Sequence, residues 1–220
     1  MHFLPDRVQA KVWAFFAEAA RNYGRPWPIR YELPVEERLA VLVRLGVRAF
    51  PTLPYPHRAG MAAWLNDEAA AFAAAHPQVL RSATFFPEPS AGQYVAQAVA
   101  DGARVFKVHV QVGGFDPRDR LLDPVWGLLE DAGTPVVIHC GSGPRPGRHT
   151  GPGPVQELLG RHPRLRLVIA HLGLPEYGDF LALAERHERV HLDTTMFATD
   201  FTEEFAPFDR ALLPRLGALR

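Results

Sequence analysis

Two histidines close β-branched apolar runs in this chain, Pro135-Val136-Val137-Ile138-His139-Cys140-Gly141 and Leu167-Val168-Ile169-Ala170-His171-Leu172-Gly173. Each run reads as a strand buried on both faces, and each histidine sits where the strand gives way to a glycine-bearing loop. The carboxyl end of a buried parallel strand is where a (β/α) barrel places its metal-binding and catalytic groups. One such histidine reads equally well as a satisfied core residue. Two in matching positions of successive βα units point instead to a metal site, because neutral imidazoles are common ligands of divalent ions.

Other residues gather around this pattern. In Phe106-Lys107-Val108-His109 the period of two puts Lys107 and His109 on one face and the apolar pair on the other. With the apolar face against helices, Lys107 and His109 point into the barrel. A buried lysine is costly unless paired or neutral, so Lys107 is read as holding an anionic substrate or, once carbamylated, as standing beside a metal. The alternative is a lysine stretched to the barrel mouth to meet a loop carboxylate. His191-Leu192-Asp193-Thr194-Thr195 places Asp193 near a strand end. There it either orients a ligand histidine as a hydrogen-bond acceptor or caps a turn. The loop from Gly141 to Gly151 alternates glycine with Arg145 and Arg148, so it reads as a mobile active-site loop offering cations to an anionic ligand, or as a plain connector. His2 precedes the first helix, where a first strand would end. No GxSxG nucleophile elbow or phosphate-binding GxxxxGK[ST] pattern occurs, and one cysteine, Cys140, excludes zinc-finger spacing.

The elements that must position these groups alternate regularly. The pattern predicts a helix over 6–20 capped by Asp6, a Pro- and aromatic-rich loop over 22–31, and a helix opened by Pro34 and ending near Gly46. Strands are predicted over 47–50, 79–86, 104–111, 135–140, 165–171 and 190–194. Helices are predicted over 58–75, 91–100, 122–132, 155–161, 177–187 and 211–219. Strands alternating with helices of this length give a parallel sheet with helical crossovers. Six strands, preceded by a strandless helix and followed by no strand, predict an α/β TIM-type barrel with strands two to seven present and the first and last missing. The whole of 1–220 reads as one domain, and as a fragment.

Composition sets the bounds. With 24 Lys+Arg against 24 Asp+Glu the net charge is zero, which gives no basic field for nucleic acid or an anionic membrane. A 47% hydrophobic content suits one sizeable core. No apolar run approaches the roughly 20 residues of a membrane span, and no signal-peptide pattern opens the chain. The lone cysteine fits a reducing compartment. The expectation is a cytoplasmic protein whose partner is a small-molecule substrate rather than nucleic acid or membrane.

The His-Phe-Leu-Pro opening and the two histidine-bearing runs resemble the amidohydrolase superfamily, in the amidohydrolase-related branch that includes aminocarboxymuconate-semialdehyde and resorcylate decarboxylases. The resemblance spans essentially the whole chain. It implies a metal-dependent TIM barrel with one divalent ion, Zn²⁺ foremost and Mn²⁺ second, held by a His-x-His pair on strand one, a histidine each on strands five and six, and an Asp on strand eight. His2 matches the second histidine of the pair, His139 the strand-five ligand and His171 the strand-six histidine. The other two positions have no counterpart in the chain. The implied function is metal-dependent hydrolysis or non-oxidative decarboxylation of a small carboxylated or cyclic substrate. In it His2, His139 and His171 serve the metal, His171 and Asp193 catalysis, and Lys107, His109 and Arg145 the substrate. The alternative is a catalytically disabled barrel remnant that binds or self-associates through open sheet edges.

Overall fold

The computed structural model describes residues 2–27 and 29–219. Helices α1 (Asp6–Ala17), α2 (Ala19–Tyr23) and α3 (Val35–Arg44) lead into strand β1 (Phe50–Pro51) and helix α4 (Ala62–Ala75). Strands β2 (Val79–Leu80) and β3 (Ser82–Ala83) precede α5 (Ala91–Ala100). Then β4 (Val105–His109) runs directly into a one-turn helix, α6 (Val110–Gly113), ahead of α7 (Asp123–Ala132). The remaining order is β5 (Val136–His139), α8 (Pro152–Arg161), β6 (Leu167–Ile169), α9 (Tyr177–Arg186), β7 (Val190–Leu192), α10 (Asp200–Glu203) and α11 (Leu213–Gly217). Every pairing is parallel. Strands β3 to β7 form one sheet in chain order, open rather than closed, and β1 pairs with β2.

The predicted alternation holds, with local corrections. The expected strand over 79–86 is two pieces. The Ser82 hydroxyl accepts the Thr52 amide at 3.2 Å and lies 2.6 Å from the Thr52 hydroxyl. The Arg81 carbonyl, by contrast, accepts from the Arg104 amide at 2.8 Å. Side-chain bonding thus replaces the ladder at this point, and the chain passes from one neighbour to the next across Arg81. Pro5, not Asp6, occupies the N-cap of α1, and no side chain caps that end. The helix expected to reach residue 20 breaks at Glu18. The final helical piece is a 3₁₀ turn, Arg210–Leu212, leading into α11.

The core lies between the sheet and its outer helices. Phe106 and Val108 of β4, Ile138 of β5 and Ile169 of β6 are fully buried with Phe85, Trp126, Leu158 and Phe180. Burying a side chain of this size stabilises by about 1.5–3 kcal/mol. Because alternate residues face opposite ways, this outward packing leaves Lys107 and His109 for the inner face. A smaller cluster of Phe3, Leu39, Phe50 and Val79 docks the segment ahead of α1. No helix among the described residues is long and apolar enough to cross a membrane.

Candidate metal centre and substrate pocket

Register brings the first two histidines together. His109 and His139 are direct partners in the parallel β4–β5 pair, so their side chains leave the same face one strand spacing apart. Their rings stack with centroids 3.8 Å apart and planes 12° apart. His171 meets the His139 ring edge-on at 5.1 Å. It does so from a turn rather than a strand: β6 ends at Ile169, and His171 and Leu172 both hold left-handed backbone, φ 56° and 52°.

Two glycines permit these turns. A Cβ on Gly141 would lie 2.3 Å from the Leu174 carbonyl oxygen, and one on Gly173, itself at φ +74°, would lie 1.9 Å from the Phe180 ring. The His-Cys-Gly and His-Leu-Gly endings therefore have a steric basis.

His2 arrives from the other side. Its ring nitrogen Nδ1 donates to the Leu53 carbonyl at 2.9 Å, and its ring meets Tyr55 edge-on at 5.1 Å. Tyr55 in turn lies 5.4 Å from His109. His171 Nδ1 likewise donates to the Thr195 carbonyl at 2.9 Å. A carbonyl can only accept, so the proton sits on Nδ1 of both rings and the Nε2 lone pairs are left for another partner. Metal-ligating histidines are oriented in this way. His109 is the reverse case: its Nδ1 accepts from the Val112 amide at 3.3 Å, capping α6, so in the neutral ring the proton is on Nε2.

Burial is the largest influence on every one of these groups. His2 is lowered to about 3, by burial first and then by the Lys107 charge. His109 and His139 lie well below 6.5, burial again leading, with His139 acting on His109 and Lys107 on both. His171 is lowered too, the Thr195 hydrogen bond partly opposing burial. Burial brings Lys107 down to about 8 against the pull of Asp193. The four imidazoles are thus neutral at pH 7, with one cation beneath them.

Among the described residues, no three His, Cys, Asp or Glu side chains stand arranged to hold an ion. In donor chemistry, however, the set fits one. His2 and His171 present fixed Nε2 lone pairs, and His139, between His109 and His171, is the third neutral imidazole.

The remaining expected residues fall into two places. Asp193 closes the turn after β7, accepting the Thr195 amide at 2.7 Å, and acts electrostatically on Lys107 and His171. Arg145 stands apart from the histidines, its guanidinium 5.7 Å over the Tyr23 ring. Together with Tyr23, Arg25, Trp27, Phe201 and Phe205 it lines a cavity of about 100 Å³. Arg25 there is paired to Glu204 at 2.5 Å, whereas Arg145 makes no ion pair among the described residues. The loop carrying Arg145, expected to be mobile, is tethered: the Gly143 amide donates to the Leu174 carbonyl at 2.9 Å, the Ser142 hydroxyl bonds Glu176, and the Gln111 amide bonds the Arg145 carbonyl.

Sequence reasoning missed Tyr55, the Leu53 and Thr195 carbonyls, and the aromatic wall of this cavity. The 22–31 stretch was legible only as a loop, although its density of aromatics was a signal.

A family model described as amidohydrolase matches residues 1–218. The comparison with curated proteins finds no match. Among solved structures, a TIM-barrel protein of Bordetella bronchiseptica is 22% identical with a TM-score of 0.71, over 91% of this chain and 73% of that one. The 5-carboxyvanillate decarboxylase LigW of Sphingomonas paucimobilis is 18% identical, TM-score 0.56, over 87% and 73%. A second 5-carboxyvanillate decarboxylase, from Novosphingobium aromaticivorans and solved with manganese and 3-methoxy-4-hydroxy-5-nitrobenzoic acid, is 16% identical, TM-score 0.56, over 92% and 76%. At these identities the likeness establishes the fold, an α/β fold of the TIM-barrel kind with its sheet left open here.

Proposed function

The chain belongs to the amidohydrolase family, whose members include metal-dependent hydrolases and decarboxylases, and from that premise we propose that it is a metal-dependent hydrolase or non-oxidative decarboxylase of a small carboxylated or cyclic substrate. The observation that carries this reading is the meeting of half-buried, neutral imidazoles from distant parts of the chain, two of them with Nδ1 tied to a carbonyl and Nε2 left free.

His2 and His139 would hold the ion, with His171 completing the set or carrying a proton on Nε2. A Zn²⁺ or Mn²⁺ ion held there supplies Lewis-acid polarisation of a substrate oxygen and acidifies a bound water. The Thr195 carbonyl fixes the His171 tautomer, so any proton that His171 takes up arrives at Nε2 and the ring stays oriented while it does. Asp193, acting on His171 and Lys107, favours the charged form of each. Lys107 and the His109 Nε2–H offer a cation and a donor on the inner face to a substrate carboxylate. Arg145 offers a second cation between aromatic walls suited to a planar ring.

The test is elemental analysis of purified protein beside a His139→Ala/His171→Ala double variant, followed by turnover of aromatic carboxylates and of lactones or amides. About one Zn or Mn per chain, lost in the variant, is expected. Carbon dioxide release from the carboxylates selects the decarboxylase form, and ring or amide opening selects the hydrolase. The open edges of the five-stranded sheet favour a second reading, a disabled barrel that self-associates through them. Metal-free, concentration-dependent oligomers with no turnover would establish that reading instead.

A further inference from the structure

Arg38 of α3 is 1% exposed. Its guanidinium lies 4.7 Å over the Phe3 ring and 5.4 Å over the Trp13 ring. Among the described residues its hydrogen bonds go to neutral acceptors, Nη1 donating to the His2 carbonyl at 2.9 Å and to Gln9 Oε1 at 3.3 Å, while Asp6 acts on it only through its charge, without a hydrogen bond. Burying a guanidinium without a carboxylate partner is unfavourable by several kcal/mol. A methionine or leucine would fill the space between two aromatic rings without that cost. What an apolar side chain cannot do is donate a hydrogen bond to the main chain of His2.

That main chain needs holding. The segment ahead of α1 belongs to none of the described strands. Two bonds tie it to the loop after β1, from the Phe3 amide to the Thr52 carbonyl at 3.1 Å and from His2 Nδ1 to the Leu53 carbonyl at 2.9 Å. Both come from the same side. The Arg38 bond comes from a different element and holds the carbonyl of the same peptide whose N–H is bonded to Thr52, so the His2–Phe3 peptide is pinned at both ends.

We propose that Arg38 is a positioning residue: through its bond to the His2 carbonyl it orients the His2 imidazole, holding Nδ1 on Leu53 and leaving Nε2 free for an ion. The inference rests on the metal-site reading only for its consequence, tighter ion binding. The orientation itself belongs to the metal-free chain.

The experiment has two arms. In metal-free protein labelled with ¹⁵N-histidine, two-bond ¹⁵N–¹H correlation reads the His2 tautomer. A single Nδ1–H form is expected in the wild type, and a mixture of tautomers in Arg38→Met. In the second arm Zn²⁺ and Mn²⁺ affinities are measured for wild type, Arg38→Met, His2→Ala and the double variant. Arg38→Met should weaken binding on the order of 10-fold, the lower end for groups that orient ligands. It should add nothing in the His2→Ala background. An unchanged His2 tautomer, or a loss that adds in full to that of His2→Ala, overturns the proposal. Should Arg38→Met fail to fold, Arg38→Lys replaces it. Its ammonium stops one bond short of Nη1, so tautomer mixing there supports the clamp and a wild-type spectrum overturns it. A wild type that binds no ion sinks the metal reading, while the tautomer arm still decides the role of Arg38.

Discussion

At the scale of single residues, the site depends on backbone that most side chains avoid. His171 and Leu172 are consecutive left-handed residues, a conformation unfavourable by about 1–2 kcal/mol each for non-glycine residues. They are held there by the Leu172 amide on the Asp193 carbonyl at 2.8 Å and the Leu174 amide on the His171 carbonyl at 3.0 Å. Gly173 follows with no room for a methyl group, so Gly173→Ala should cost roughly 3 kcal/mol or more, the range of steric overpacking plus backbone strain. Thermal unfolding by circular dichroism checks this. Lys107 gives a second prediction. Folding takes its pKa down from 10.5 to about 8, so the penalty of burying the charge is complete below pH 8 and is relieved as pH rises toward 10.5. Lys107→Met should therefore raise the melting temperature of metal-free protein at pH 7 by about 5 °C, with the gain shrinking above pH 8. His139 and His171 were legible from their place after β-branched runs, His109 from period-two alternation, and His2 only from its place ahead of the first helix and the family resemblance. The turn under His171 was not, because its conformation is imposed by Asp193 and Thr195, more than twenty residues away.

At the scale of elements, register does what no single residue can. The pairing of His109 with His139 follows from the β4–β5 alignment, which the buried alternation of Phe106, Val108, Val136 and Ile138 enforces. Slipping either strand by one residue would send its histidine to the helical layer and bring apolar groups inward. Ile138→Ala should therefore cost about 2–5 kcal/mol and disturb the stacked pair, visible as shifted His109 and His139 ring resonances. The Ser82–Thr52 bond is the comparable feature at the split between β2 and β3. Ser82→Ala leaves the buried Thr52 amide without that acceptor and should cost about 1–3 kcal/mol in denaturant unfolding. Period-two alternation showed which faces were inward and where each strand lay to within a few residues. It did not show that the 79–86 run divides, since a hydroxyl substituting for a ladder bond leaves no mark in hydrophobic pattern. Likewise the helix expected over 6–20 carried no visible break at Glu18.

At the scale of the whole molecule, four half-buried imidazoles of lowered pKa tie stability to pH. A histidine buried neutral binds a proton less readily folded than unfolded, so acid favours unfolding. For metal-free protein, the histidine contribution to stability should be complete above about pH 6.5 and be lost as pH drops toward the folded value, about 3 for His2. A melting temperature flat across pH 4–7 would contradict this. Zn²⁺ or Mn²⁺ at 100 times its Kd should add about 2.7 kcal/mol near neutrality and progressively less in acid, as protons compete for the same nitrogens. The proposed donor set is also drawn from points far apart along the chain, positions 2, 139 and 171, with the Thr195 carbonyl orienting the last ring. During synthesis His2 leaves the ribosome first and waits for nearly two hundred residues before its partners are assembled. Parallel strands with helical crossovers pair slowly, because each contact closes a long loop. If the proposed centre forms, a nascent chain stalled before Thr195 should capture an ion far more weakly than one stalled well beyond it, so that loading would keep time with the completion of the fold.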